Sequence, residues 1–538
     1  MKLKIIKIIV ALVLPIILGV LLYQAKIAQG PFYIGNHSDP SYAYLFNSLN
    51  LTYGYIPGHV DHPGTTLQYF GAIIIRITYW ASGTKTTIIE DVISQPEKYL
   101  SIISNAIIVL NVLAFFVLAL LADKYFKKIW IGIYLQLIPF FFLDVSFYIY
   151  KIMAESVLWI FASYFTFLCI IFWLKSADIT NQNKYIFAFS LVVAMGIITK
   201  ITFIPFAVTP LLLIQDNRKK GYYVLITLLL FILIALPALF SYEYLFHWIK
   251  NLLLHSGQYG NGKKNFLEIS TFLPNLHLII KVYLLIPVII FVITSVIWLR
   301  NYVSLKQQNP ELNRKISLFL ITFLILIVVN SILVAKQYSE KYLTPIICFS
   351  FGILSIFYLF LQELYKNKLI TQRIISIFCV GLICMPLYNA HTFNNRIAIL
   401  EDYKQKRMIT NEKILNAKKG ENTIIIYYYA NSSPIFGLAF GISFSGIMKD
   451  TYAYYAHKLN PDMIELNVTN NKCYVWNMPI PIAKIIEQKK RILLQGSTLP
   501  ESYKNTIKIK NSDIDEISFP VKLIFDNQSG ECIYELIY

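Results

Sequence analysis

Residues 185–214 read YIFAFSLVVAMGIITKITFIPFAVTPLLLI, thirty residues carrying one charge, Lys200. That is longer than the roughly 20 residues one membrane helix needs and shorter than two full spans. The flanks decide how the run is used. Lys184 precedes it and Arg218, Lys219 and Lys220 follow it, and short loops rich in Lys and Arg stay in the cytoplasm. With both ends on one side the run crosses an even number of times, which predicts a pair of short helices with Lys200 near the tip.

The same rule orders the rest of the chain. Segments 123–128 (DKYFKK), 175–184, 215–220 (QDNRKK), 300–315 and 362–373 all read as cytoplasmic. Apolar runs lie at 5–23, 100–121, 129–148, 152–174, 222–240, 278–299, 316–334, 342–361 and, rather short, 374–387. Adding the broken pair predicts about eleven membrane helices. The first run follows Lys2 and Lys4, and no small-x-small cleavage site follows it, so it reads as a retained helix with its N-terminus inside. Segment 67–80 is apolar but short and carries Arg76. A span there would turn every later basic loop outward, so it is expected to lie flat at the interface.

Composition agrees: 56% of residues are hydrophobic and 14% charged, with a mean hydropathy of +0.56, far more apolar surface than one water-soluble core uses. Up to Tyr388 there are 30 Lys and Arg against 15 Asp and Glu, and beyond it 18 against 15. The excess positive charge therefore belongs to the membrane part and to membrane lipids, and does not imply nucleic acid. The expected class is an α-helical polytopic membrane protein with a C-terminal soluble α/β domain. Its divisions are 1–388, including an outer loop 24–99, and a non-cytoplasmic domain 389–538. In the latter, 423–429 (TIIIYYY), 472–476 and 521–525 read as strands and 435–441 as a helix. Cys473 and Cys532 fall in this region, where an oxidising compartment would let them pair.

Chemistry concentrates in the outer loop, GNHSDPSYAYLFNSLNLTYGYIPGHVDHPGTTLQYFG (35–71). Asp39 and Asp61 are its acids, set among Gly, Pro, His and Tyr just after a membrane helix. A carboxylate there suits a general base, although Asp39 before Pro40 also suits a turn or the cap of a helix over 41–49. His59, Asp61 and His62 are three possible ligands for a divalent metal, or hydrogen-bonding groups that meet a substrate without one. Lys200, in an apolar run, is either functional or snorkels to the interface. Lys151 and Glu155 read as a helical pair one turn apart. The loop HSGQYGNGKK (255–264), with His255 and Tyr259, is glycine-rich and basic enough to cradle a phosphate. The segment KQYSEKY (336–342) presents Lys336, Tyr338 and Lys341 at the start of a helix.

Taken in order, these pieces resemble the GT-C superfamily of membrane glycosyltransferases, especially the branch with protein O-mannosyltransferases and the bacterial lipid A aminoarabinose transferase. The resemblance rests on Asp39 followed by HVDHPGTT (59–66), on KIMAESVLWIF (151–161), on GIITKITFIP (196–205) and on EKYLTPI (340–346). It implies inverting transfer of a sugar from a polyprenyl-phosphate or pyrophosphate carrier to a glycan, lipid or protein acceptor on the non-cytoplasmic side. By the same analogy Asp39 is the catalytic base, and Lys200, Lys336 and Lys341 are candidates for the carrier phosphate. Many members have two adjacent acids in this loop, whereas here Pro40 follows Asp39. Either Asp61 substitutes or one acid suffices, which leaves metal dependence open. A transporter or flippase of lipid-linked glycans is the alternative, although no repeated halves are visible. The richness in Ile, Lys and Asn points to a bacterium, and so to its inner membrane.

Overall fold

The structure, a computed structural model, describes residues 2–34, 38–61, 63–175, 183–256, 262–364, 368–419, 422–499, 506–511 and 515–538. Among these, seven helices are long and apolar enough to cross a membrane: Lys4–Gln29, Pro96–Phe126, Ala154–Leu174, Asn217–Leu254, Ile269–Gln308, Pro310–Lys336 and Glu340–Phe360. An eighth span results if Ile129–Phe141 and Leu143–Tyr150, bent by 84°, count as one. The chain is thus a multi-pass membrane protein with a β-rich C-terminal region. The apolar run 374–387 lies within one long helix, Lys368–Lys419.

The run that sets the parity folds as two short pieces. The helix Asn183–Thr199 ends, Lys200 adopts an extended conformation (φ −157°, ψ 135°), and a 3-10 turn Ile201–Ala207 leads into the helix Val208–Leu213. Pro205 has no N–H for the Ile201 carbonyl and its ring would crowd that carbonyl, so an α-helix cannot run unbroken through 201–205. Phe165 of the helix Ala154–Leu174 holds the pieces together, its ring 5.8, 5.8 and 5.4 Å from those of Phe189, Phe203 and Phe206.

By internal contacts the chain divides into two units. The first comprises Met1–Tyr23, Val60–Leu67 and Ile107–Phe393, and the second Gln24–His59, Gln68–Ala106 and Asn394–Tyr538. This division differs from the one read at 388/389. Most of the outer loop 24–99 packs with the C-terminal residues, because its helix Ser38–Thr52 is buried against the helix Pro434–Ser443. Small residues permit that approach. A Cβ added at Gly441 would lie 2.7 Å from Phe46 Cδ2, 2.8 Å from Tyr42 Cβ and 2.9 Å from the Tyr42 carbonyl oxygen.

The second unit also contains an eight-stranded mixed sheet. Its strands are β1 (Thr423–Tyr427), β2 (Ile464–Asn467), β3 (Lys472–Val475), β4 (Met478–Ile480), β5 (Arg491–Ser497), β6 (Thr506–Lys510), β7 (Glu516–Asp526) and β8 (Glu531–Leu536). Their order is β4-β3-β2-β1-β5-β8-β7-β6, with β1 parallel to β2 and β5 and the other pairs antiparallel. A core that includes Ile426, Leu494, Ile509 and Cys532 lies inside. Residues 407–411 of the long helix meet the sheet through polar groups. The Arg407 guanidinium lies 3.2 Å from Glu531, and both side chains are buried. Glu531 also accepts from the Ser432 backbone N–H (2.8 Å), the Ser432 hydroxyl (2.5 Å) and the Gln495 amide (2.8 Å). A buried charge satisfied on this scale fixes geometry, and losing one partner is costly. Cys473 and Cys532 are both buried and unpaired.

Gly441→Ala is expected to destabilise the second unit by about 1–3 kcal/mol, the usual cost of overpacking, which outweighs the roughly 1 kcal/mol gained in helix propensity. Thermal unfolding of the full chain in detergent would measure it, and an unchanged midpoint would mean that the helix contact has slack.

Candidate functional site

In the first unit the segment Val60–Leu67, which carries Asp61, docks on the break before Lys200. The Gly64 N–H donates to the Thr199 carbonyl (3.2 Å), and the hydroxyls of Thr66 and Thr199 share a 2.7 Å hydrogen bond. Val60 packs with Ile198 in one apolar cluster. Two regions more than 130 residues apart, both singled out in the sequence, are thereby brought together. Asp61 is half-buried there.

Lys200 does not snorkel. Its side chain is 2% exposed, and its ammonium group donates to the buried carboxylate of Glu155. The same ammonium lies 4.2 Å from the centroid of the Tyr342 ring. The expected pairing of Lys151 with Glu155 is not formed. Residues 151–153 are not helical and the helix begins at Ala154, so the two are not one helical turn apart. Lys151 instead lies 5.1 Å from the Tyr148 ring centroid, and Lys341 lies 5.9 Å from the same ring and 5.7 Å from that of Tyr342. The Tyr148 hydroxyl donates to Glu340 (2.9 Å).

Three lysines, two tyrosines and two acids thus form one cluster at the break in the membrane unit. Cations held against aromatic faces are attracted to the rings and still offer N–H donors outward. Such a group suits an anionic oxygen, to which an accessible ammonium contributes charge-assisted hydrogen bonds.

The other candidates of this unit lie elsewhere in it. Lys336 donates to the Leu253 carbonyl (2.6 Å) and its ammonium lies 4.7 Å from the Phe266 ring centroid. With His255 and Glu268 it lines a small polar cavity of about 20 Å³, room for roughly one water. The Tyr338 hydroxyl is 3.4 Å from that of Tyr283.

In the second unit Asp39 is exposed and extended (φ −92°, ψ 123°), immediately before the helical residues that Pro40 begins. That is the backbone of a residue at a helix start, as its sequence context allowed. His59 is buried, its ring edge-on to Tyr44 (5.6 Å) and Phe444 (5.4 Å). Its backbone is fixed as well: the N–H donates to Asn47 Oδ1 (3.0 Å) and the carbonyl accepts from Gln68 (2.7 Å). Gly58 beside it runs against Gly446, where an added Cβ would come within 2.4 Å of the Gly446 nitrogen. His62 and Tyr259 lie outside the described residues. Among the described residues no three His, Cys, Asp or Glu side chains are grouped to hold a metal ion.

Several residues that build these sites were not singled out in the sequence. Tyr148 and Tyr342 adjoin flagged residues, and their role as aromatic supports had no separate signal. Asn47 and Asn50 had one, as amide side chains among the aromatic and leucine residues of the helix Ser38–Thr52. Asn47 accepts from the Gly58 and His59 N–H groups and donates to the Phe444 carbonyl, and Asn50 bridges the Ile56 and Ser445 carbonyls.

Comparison with family models, with curated proteins and with solved structures finds no match.

Lys200→Met strands the Glu155 charge in a buried site and is expected to cost about 3–5 kcal/mol, whereas the double replacement Lys200→Met with Glu155→Leu should recover most of it. A double-mutant cycle on thermal stability in detergent checks this, and strictly additive losses would mean that the two side chains do not act as a pair.

Proposed function

We propose that this protein is an inverting glycosyltransferase that moves a sugar from a polyprenyl-phosphate or pyrophosphate carrier to an acceptor on the non-cytoplasmic side of the membrane. The observation that carries the reading is the cluster in the first unit: the Asp61 segment docked at Thr199, with Lys200, Lys151 and Lys341 gathered around Tyr148 and Tyr342. It supplies what a lipid-linked phosphate leaving group demands, positive charge in a region of low dielectric. Lys341 and Lys151 are the phosphate-facing cations in this reading, and the Lys200–Glu155 pair anchors the cluster beneath them. Asp39 is the base that takes the acceptor hydroxyl's proton, and Asp61 is the second acid. The reading includes about eleven crossings with the N-terminus inside, as the parity of the basic loops requires. It also places the chain in a bacterial inner membrane.

The test is transfer from a panel of radiolabelled polyprenyl-phosphate sugars by the purified protein in detergent, with water or envelope extract as acceptor. Asp39→Asn should lower turnover by about 10²–10⁴-fold, the range of a lost general base, at unchanged thermal stability. Lys341→Ala should raise the donor KM more than it lowers kcat. Near-normal turnover by Asp39→Asn would remove Asp39 from the role. Saturable lipid-phosphate binding with no sugar transferred from any donor would favour a transporter.

A further inference from the structure

We infer that Glu97 is the positioning residue of Asp39, an inference that rests on the reading of Asp39 as the base. Glu97 stands in the first turn of the helix Pro96–Phe126. Its Oε2 accepts from the Phe32 backbone N–H (2.9 Å), and its Oε1 accepts from the Tyr42 hydroxyl (2.8 Å). Phe32 precedes Asp39 in the chain and Tyr42 follows it. One carboxylate therefore holds the Phe32 backbone on one side of Asp39 and the Tyr42 side chain on the other, and all four residues belong to the second unit.

Tyr42 transmits the constraint. It lies in the first turn of the helix that Pro40 begins, three residues beyond Asp39 in the chain. Its side chain is wholly buried and its ring abuts Gly437. Burial, and after it the nearby Glu97 carboxylate, raises the Tyr42 phenol well above its ordinary pKa, so it stays protonated as a donor. A second tether fixes the chain before Phe32: Lys26 donates to the Ser101 carbonyl (2.9 Å), the Ser101 hydroxyl (2.8 Å) and Asn105 (2.6 Å), one and two turns along from Glu97. Asp39 itself is exposed. The Glu97 bonds restrain the residues that flank it, and a base must lie within hydrogen-bond reach of the proton it takes.

What the geometry needs from residue 97 is two oriented polar atoms, and a charge is not required. Glu97→Gln keeps both bonds, because the amide oxygen accepts from the Phe32 N–H while the NH₂ group donates to the Tyr42 oxygen. The experiment compares wild type, Glu97→Gln, Glu97→Ala and Tyr42→Phe in the transfer assay and, independently of activity, in amide hydrogen exchange at Phe32, Ser41 and Tyr42. Glu97→Gln should keep kcat close to wild type. Glu97→Ala should lower it by about 10–100-fold at unchanged donor KM, the loss a small misplacement of a reacting group brings. Exchange at Phe32 should quicken in Glu97→Ala and not in Glu97→Gln. Tyr42→Phe removes one bond without opening a cavity and should give an intermediate loss, which carries the test if Glu97→Ala fails to fold. A Gln variant as impaired as Ala, or an Ala variant with wild-type kcat and exchange, overturns the positioning role. Were the wild type inactive with every donor, the function reading would fall. The clamp would then be judged by exchange alone, where unchanged rates in Glu97→Ala overturn it.

Discussion

A lysine and a glutamate buried together in a membrane unit constrain everything near them. Removed from water, each charge is tolerable only while the other is in place. Glu155 opens one long helix and Lys200 interrupts the short pair beside it, so their contact fixes the depth and rotation of both. The ring of Tyr342 on Lys200 extends the same constraint to the helix start at Glu340. Loop 60–67 follows because its hydrogen bonds go to Thr199, the residue next to Lys200. What looks like a cluster of cations is therefore ordered from the inside, by the Lys200–Glu155 pair and by the Tyr148 ring that Lys151 and Lys341 share.

The second unit is held together differently. Its means are polar side chains in helices and glycine contacts between helices. Asn47 and Asn50 fasten the 56–59 loop and the 444–445 turn to one helix, while Gly441 lets that helix lie against its neighbour. The same economy recurs at Glu531, where one carboxylate gathers Arg407, Ser432 and Gln495. In each case a buried polar group with several partners replaces what a larger apolar contact would do elsewhere, and it specifies orientation as well as proximity.

Much of this was legible in the sequence where one physical rule dominated. The parity of the basic loops placed a break at Lys200, and the alternation of strands and a helix after residue 423 is found as β1, β3, β7 and the helix Pro434–Ser443. Pairings were less legible. Lys151 and Glu155 read as neighbours only if the helix started early, and a non-helical stretch at 151–153 separated them. Glu155 found its partner 45 positions away, a choice that no local pattern encodes. The division of the outer loop between the two units was hidden for the same reason. It depends on which helix can approach Gly441, and spacing alone does not reveal that.

The two thiols of the sheet, Cys473 on β3 and Cys532 on β8, are shielded from solvent and form no disulfide. A sheet held by eight strands and a buried ion pair owes none of its shape to oxidation. It would therefore reach the same structure with or without a thiol oxidant, and reducing agents should leave it intact.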